Sequence, residues 1–126
     1  MTTMVSSGPF GKYAVELRYE GEIRFGPFYF SCKPIAFQAD FSGLPVGESI
    51  HWKDDSSSFV MLVFHSLRSD RPPETELVWV DTNSGEITSI EVCAEGLIHM
   101  GGFDETGEYS YEVRSEGRRR LKKVSW

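Results

Sequence analysis

The chain has 126 residues, a formal net charge of -6, 40% hydrophobic residues and 13% aromatic residues. That length supports one domain built around one core. The composition excludes intrinsic disorder, and no apolar run approaches the roughly 18 residues of a transmembrane helix.

The opening Met1-Thr2-Thr3-Met4-Val5-Ser6-Ser7-Gly8 lacks the basic and apolar regions of a secretory signal. Residues 1–9 are expected to be a flexible lead-in. Residues 12–20 alternate strictly, with Tyr13, Val15, Leu17 and Tyr19 on one face and Lys12, Glu16, Arg18 and Glu20 on the other. This is the pattern of a half-buried strand. Glu20-Gly21-Glu22 turns into a short strand over 23–25, and Gly26-Pro27 interrupts it. Residues 28–32 form a strand ended by Lys33-Pro34, and residues 35–41 form another.

A strand over 49–52 and the turn Asp54-Asp55-Ser56-Ser57 lead into Phe59-Val60-Met61-Leu62-Val63-Phe64. That run is apolar on both faces, as a strand covered from both sides must be. Ser69-Asp70-Arg71-Pro72-Pro73-Glu74 is a loop. The strands over 76–80 and 87–92 flank Asp81-Thr82-Asn83-Ser84-Gly85, a hairpin turn rich in residues that tolerate positive φ. Residues 97–100 make a short strand closed by Gly101-Gly102. Asp104-Glu105-Thr106-Gly107 is a second hairpin turn, and residues 108–114 alternate again with Tyr109, Tyr111 and Val113 on one side. Glu116-Gly117 turns into a basic last strand over 118–126. No window carries a useful helical period. The chain therefore reads as a single all-β domain, an antiparallel meander forming a small β-sandwich or open barrel with little helix and an aromatic-dominated core.

All 19 acidic residues lie at or before Glu116, together with eight of the 13 basic ones. Such a body repels phosphate backbones and attracts cationic partners. The candidate docking residues are the strand acids Glu16, Glu20, Glu22, Glu108 and Glu112 and the turn acids Asp54, Asp55, Asp104 and Glu105. The basic terminus, Arg118, Arg119, Arg120, Lys122 and Lys123, is read as edge protection that pairs with the acidic body, ahead of phosphate contact. It lacks the interleaved aromatics of an RNA-binding strand, so nucleic acid is not the expected partner.

No catalytic motif is present. His51, His65 and His99 stand singly, without the close pairs of a metal site, and neither a metal nor a cofactor is expected. The carboxylate pairs lie in turns, where acids stay solvated and unsuited to acid–base work. Asp81-x-Asn83-x-Gly85 matches only half of a calcium loop. Cys32 and Cys93 sit in apolar strand contexts and are read as buried free thiols, consistent with a cytoplasmic location.

Phe10-Gly11-Lys12-Tyr13, Ser57-Ser58-Phe59 and Thr106-Gly107-Glu108-Tyr109 each place an aromatic residue after a turn. Within residues 50–92, Ile50-His51-Trp52 with its turn, and Glu76-Leu77-Val78-Trp79-Val80-Asp81 with Asn83-Ser84-Gly85-Glu86, resemble one blade of a β-propeller. A closed propeller needs at least four blades and a longer chain. In size, charge and class the chain is similar to bacterial immunity proteins, which act as antitoxins by covering a toxin's active site. That resemblance implies a non-catalytic protein-binding module that neutralises a basic cognate toxin. The alternatives are a structural or oligomerising β module, and a small enzyme or ligand carrier with an aromatic-lined pocket.

Overall fold

The computed structural model describes residues 3–23, 28–65 and 74–126. The expected short strand over 23–25, beyond its first residue, and the breaks expected at Gly26-Pro27 and through 69–73 lie outside them. Among the described residues ten strands follow in order: β1 (Thr3–Ser7), β2 (Ala14–Glu22), β3 (Phe28–Ile35), β4 (His51–Trp52), β5 (Ser58–Phe64), β6 (Thr75–Asp81), β7 (Ile87–Cys93), β8 (Leu97–Phe103), β9 (Tyr109–Ser115) and β10 (Arg118–Val124). Among the described residues there is no helix. The strands make three antiparallel sheets, ordered β1-β2-β3, β4-β5-β6-β7 and β10-β9-β8, and none closes into a barrel.

The period-two pattern of β5 and β6 explains the layering. Phe59, Met61, Val63, Val78 and Val80 pack with Val15, Leu17 and Phe30 of the first sheet. Val60 and Leu77 pack in the opposite direction, against Ile98, Tyr109, Tyr111 and Val113 of the third. The middle sheet is thus covered on both faces in a sandwich-like stack, and β5 is apolar from Phe59 to Phe64 because each of its sides faces a core. Each fully buried side chain of this kind contributes about 1.5–3 kcal/mol. Val46 ties two layers together by bridging Phe30 of β3 and Val63 of β5. Valines at 15, 46, 60, 63, 78, 80 and 113 are as prominent in the core as Phe30, Phe41, Phe59, Phe64, Tyr109 and Tyr111. The core is therefore mixed, not aromatic-dominated.

Five local expectations are corrected. Glu20-Gly21-Glu22 makes no turn, because β2 runs through Glu22 with a register shift between Tyr19 and Gly21. Thr3–Ser7 is not a loose lead-in but pairs along β2 from Arg18 to Ala14. β3 runs through Pro34. Phe30 directs its N–H and C=O toward Val46, away from β2, and Pro34, an even number of residues on, has its missing donor on that same side. The ladder to β2 loses nothing. Residues 36–41 form no strand, because Ala36 takes a φ of 68° and turns the chain. Phe37 then packs edge-on to Tyr13, Phe41 and Phe59, plugging the core instead of extending a ladder. Finally, Gly101-Gly102 does not close β8. The strand continues to Phe103 through a register shift between Met100 and Gly102, where a β-carbon on Gly101 would stand 2.3 Å from the Ser110 carbonyl oxygen.

The turns follow their residue types. Gly85 and Gly107 take φ of 77° and 86°, and Glu116 with Gly117 take 54° and 74°. Two successive positive φ values define the type I′ loop that suits the twist of β9–β10. Gly85 has a second reason to be glycine, since a β-carbon there would stand 2.0 Å from the Gln38 carbonyl oxygen.

Phe59 is completely buried and meets Phe37, Phe41 and Trp52. Replacing it tests the layered core. Phe59→Ala is expected to cost about 3–5 kcal/mol in urea-induced unfolding, whereas Leu121→Ala, at a residue 82% exposed, is expected to change stability by less than about 0.5 kcal/mol.

Candidate functional site

The acidic residues separate into three places. Glu16, Glu20 and Glu22 lie on β2 of the first sheet. Glu16 stands opposite Lys33 of β3, and Glu20 accepts a hydrogen bond from the Ser31 hydroxyl at 2.8 Å. Glu112 lies on β9 and is already engaged, by Arg119 at 2.5 Å and Arg114 at 3.2 Å. Glu16, Glu20 and Glu112 share their surroundings with basic or hydroxyl groups, and the four acids are split between the first and third sheets.

The turn acids, by contrast, converge. Thr82 in the β6–β7 turn donates its hydroxyl to the carbonyls of Ser56 and Ser57 in the β4–β5 turn, at 2.8 and 3.0 Å. A β-carbon on Gly107 in the β8–β9 turn would lie 3.7 Å from Lys53 Cε at the other edge of the β4–β5 turn. One pole of the molecule therefore carries Asp54 and Asp55, Asp81 and Glu86, and Asp104, Glu105 and Glu108. The nearby cations are Lys53, whose Nζ sits 5.9 Å from the Trp126 ring centroid, and Lys123, 3.7 Å from Asp104.

These carboxylates are fixed by their own turns. Asp55 accepts from the Ser57 hydroxyl at 2.6 Å and the Ser57 amide at 2.9 Å. Asp104 accepts from the Thr106 hydroxyl and amide and from the Glu108 amide, at 2.6, 2.9 and 3.0 Å. The hydroxyl bonds first, then the amides, hold both carboxyls below the usual carboxylate range. Asp81 binds the amides of Asn83 and Ser84, so its oxygen serves the hairpin rather than a cation.

The basic strand β10 is a sheet edge. Arg119 reaches Glu112, Lys122 reaches Glu91 of β7 at 2.8 Å, and Lys123 faces Asp104. Lys122 pairs in register with Tyr111, whose hydroxyl also donates to Glu91 at 3.0 Å. Burial raises the Glu91 carboxyl, but the Lys122 and Tyr111 hydrogen bonds outweigh it and leave the group lowered. A lysine turned toward the neighbouring layer blunts edge-to-edge pairing. Beyond the strand, Trp126 packs on Trp79 and Phe103 and donates to the Ser58 hydroxyl at 3.1 Å.

The histidines and cysteines remain apart. His65 pairs with Glu76 at 2.6 Å, His99 is exposed, and His51 contacts the Tyr109 hydroxyl at 2.8 Å. Among the described residues no group of three or more potential ligands gathers around a metal position. Both cysteines are free, and burial pushes the Cys32 thiol up to about 12, so adjacent Lys33 does not activate it. Sequence reasoning listed the acid pairs but missed Asp81 and Glu86 as members of the same pole. It also treated His51 as isolated from the tyrosine it meets 58 positions later.

The lowered carboxyls set an acid-side dependence. A carboxyl with a depressed folded pKa stabilises the fold above its unfolded value of about 4, and that stabilisation is lost as pH falls through the folded value. Thermal unfolding midpoints are expected to fall between pH 5 and pH 2, and Asp104→Asn, which keeps an acceptor oxygen but cannot ionise, is expected to flatten that slope.

Comparison of the chain with protein-family models, with curated proteins and with solved structures finds no match.

Proposed function

We propose that this protein is a non-catalytic binding module whose acidic pole engages a basic protein partner. What carries this reading is the convergence of the acidic hairpin turns at one pole, with the Asp55 and Asp104 carboxylates held ionised and oriented by turn hydrogen bonds. A concentrated, exposed field of one sign steers the encounter with an oppositely charged surface and raises the association rate. Carboxylates fixed in advance lose little side-chain freedom on contact, which lowers the cost of binding. The pole replaces the wider acidic surface expected from sequence. Glu112 is neutralised locally, and Glu16, Glu20 and Glu22 alternate with Lys33 and Arg18 on the first sheet.

In its most specific form the reading is an immunity protein. A small acidic β domain would then cover the cationic active site of a toxin, with Asp54, Asp55 and Glu105 as the leading contacts. The paired state of β10 favours this over phosphate binding, since Arg119, Lys122 and Lys123 are committed to Glu112, Glu91 and Asp104.

Co-expression with the products of neighbouring genes, followed by stopped-flow binding to any that co-purify, tests the proposal. A basic partner is expected, with an association rate that falls steeply with salt. The triple variant Asp54→Asn, Asp55→Asn, Glu105→Gln is expected to slow association at low salt by about tenfold or more. Capture of no neighbouring product, or capture unaffected by salt and by the triple variant, would contradict it.

A further inference from the structure

The second and third sheets leave a gap along one edge. Between β5 and β8, with the segment leading into β4 beside them, lies a cleft of about 360 Å³, within the size range of small-molecule sites. Leu62, Phe64, Ile98 and Met100 form its walls. Phe28 and Leu97, 47% and 46% exposed, also line it. It lies toward the Phe64–Thr75 end of β5 and β6, away from the acidic pole at the Ser58–Asp81 end.

Three features make this a built site and not a packing defect. The first is Thr75, which lines the cleft, is 1% exposed and has a hydroxyl with no hydrogen-bond partner among the described residues. A buried hydroxyl left unpaired is costly, and natural folds satisfy nearly all such groups. The second is His51, which also lines the cleft and contacts the Tyr109 hydroxyl through Nδ1. Tyr109 is completely buried and burial raises its phenol well above the ordinary range, so it keeps its proton and has a hydrogen to offer Nδ1. Burial also lowers the His51 pKa, favouring the neutral ring. In the tautomer where Nδ1 accepts that hydrogen, Nε2 carries the ring's proton as a donor. The third is Gly47, a buried lining residue whose φ is not positive. A β-carbon there would meet Leu62 and Phe64 at ordinary contact distances of 3.6 and 3.8 Å. The backbone does not require glycine at this position, and the missing side chain keeps the space open.

We propose that the cleft binds a small, uncharged, mostly apolar molecule whose carbonyl or hydroxyl oxygen accepts a hydrogen bond from Thr75 Oγ1, with His51 a second polar group toward the Val60 end of the cleft. Among the described residues the lining includes no lysine or arginine, and Glu48 is its one carboxylate, a balance that disfavours anions. Apolar walls with a buried hydroxyl donor suit a ketone, ester or alcohol on an aromatic or branched alkyl body. This site is separate from the acidic pole and stands whether or not a protein partner binds there.

The neutral aryl ketone prodan, titrated into the full chain and followed by its fluorescence, tests the proposal. Saturable one-to-one binding with blue-shifted emission is expected. Thr75→Val, which removes the donor but keeps the shape, is expected to weaken binding roughly five- to tenfold without lowering the unfolding midpoint, since an unpaired buried hydroxyl is lost. Gly47→Leu is expected to fill the cleft and abolish binding while circular dichroism stays unchanged. No saturable binding to the parent chain would overturn the proposal, as would binding that a folded Thr75→Val protein retains in full. Were Gly47→Leu to misfold, Thr75→Val alone would decide.

Discussion

The rest of the molecule depends on one constraint: β5, inside the middle sheet, is covered by another sheet on each face. From Phe59 to Phe64 the strand must then be apolar, and its neighbours must supply apolar residues in both directions. Phe59, Met61 and Val63 satisfy one layer while Val60 satisfies the other. Sheets buried on both sides are usually parallel and covered by helices. Here the covers are sheets of the same chain, so a single run from Phe59 to Phe64 organises two cores. The first and third sheets each keep one outer face, which is where alternation with charged residues reappears.

The same topology decides where charge collects. In an antiparallel meander, alternate turns return to the same end, so the β4–β5 and β6–β7 turns are neighbours by necessity, and Thr82 joins them through Ser56 and Ser57. Stacking the third sheet with its β8–β9 turn at that end adds Asp104, Glu105 and Glu108. The acids that favour tight turns for local reasons, by accepting hydrogen bonds from the backbone two residues on, thus become a collective field. The basic terminus is the counterpart. It is drawn onto the acidic body as an edge strand and held there by Glu112, Glu91 and Asp104.

Much of this was legible because it is local. The two-sided apolar run of β5, the alternation of β2 and β9, and the turns at Asp81–Gly85, Asp104–Gly107 and Glu116-Gly117 follow from period and turn chemistry. What escaped is set by distant partners. Thr3–Ser7 carries only a weak alternation of its own and becomes a strand because β2 offers it an edge. Residues 36–41 read as a strand from their aromatics, yet those rings are needed around Phe59. Pro34 and Gly101 look like strand breakers until the side of the ladder and the bulge are known. The cleft was invisible for the same reason, because Gly47, His51, Thr75 and Ile98 share no pattern and meet only through the stacking of two sheets.

Native-state hydrogen exchange measures the central claim most directly. If β5 is covered on both faces, the amides of Val60, Met61, Leu62 and Val63 exchange only through global unfolding, with opening free energies equal to the stability from denaturant titration, while β10 amides open more readily. Exchange from β5 as fast as from β10 would contradict the account, since it would mean that one cover of the middle sheet is absent in solution.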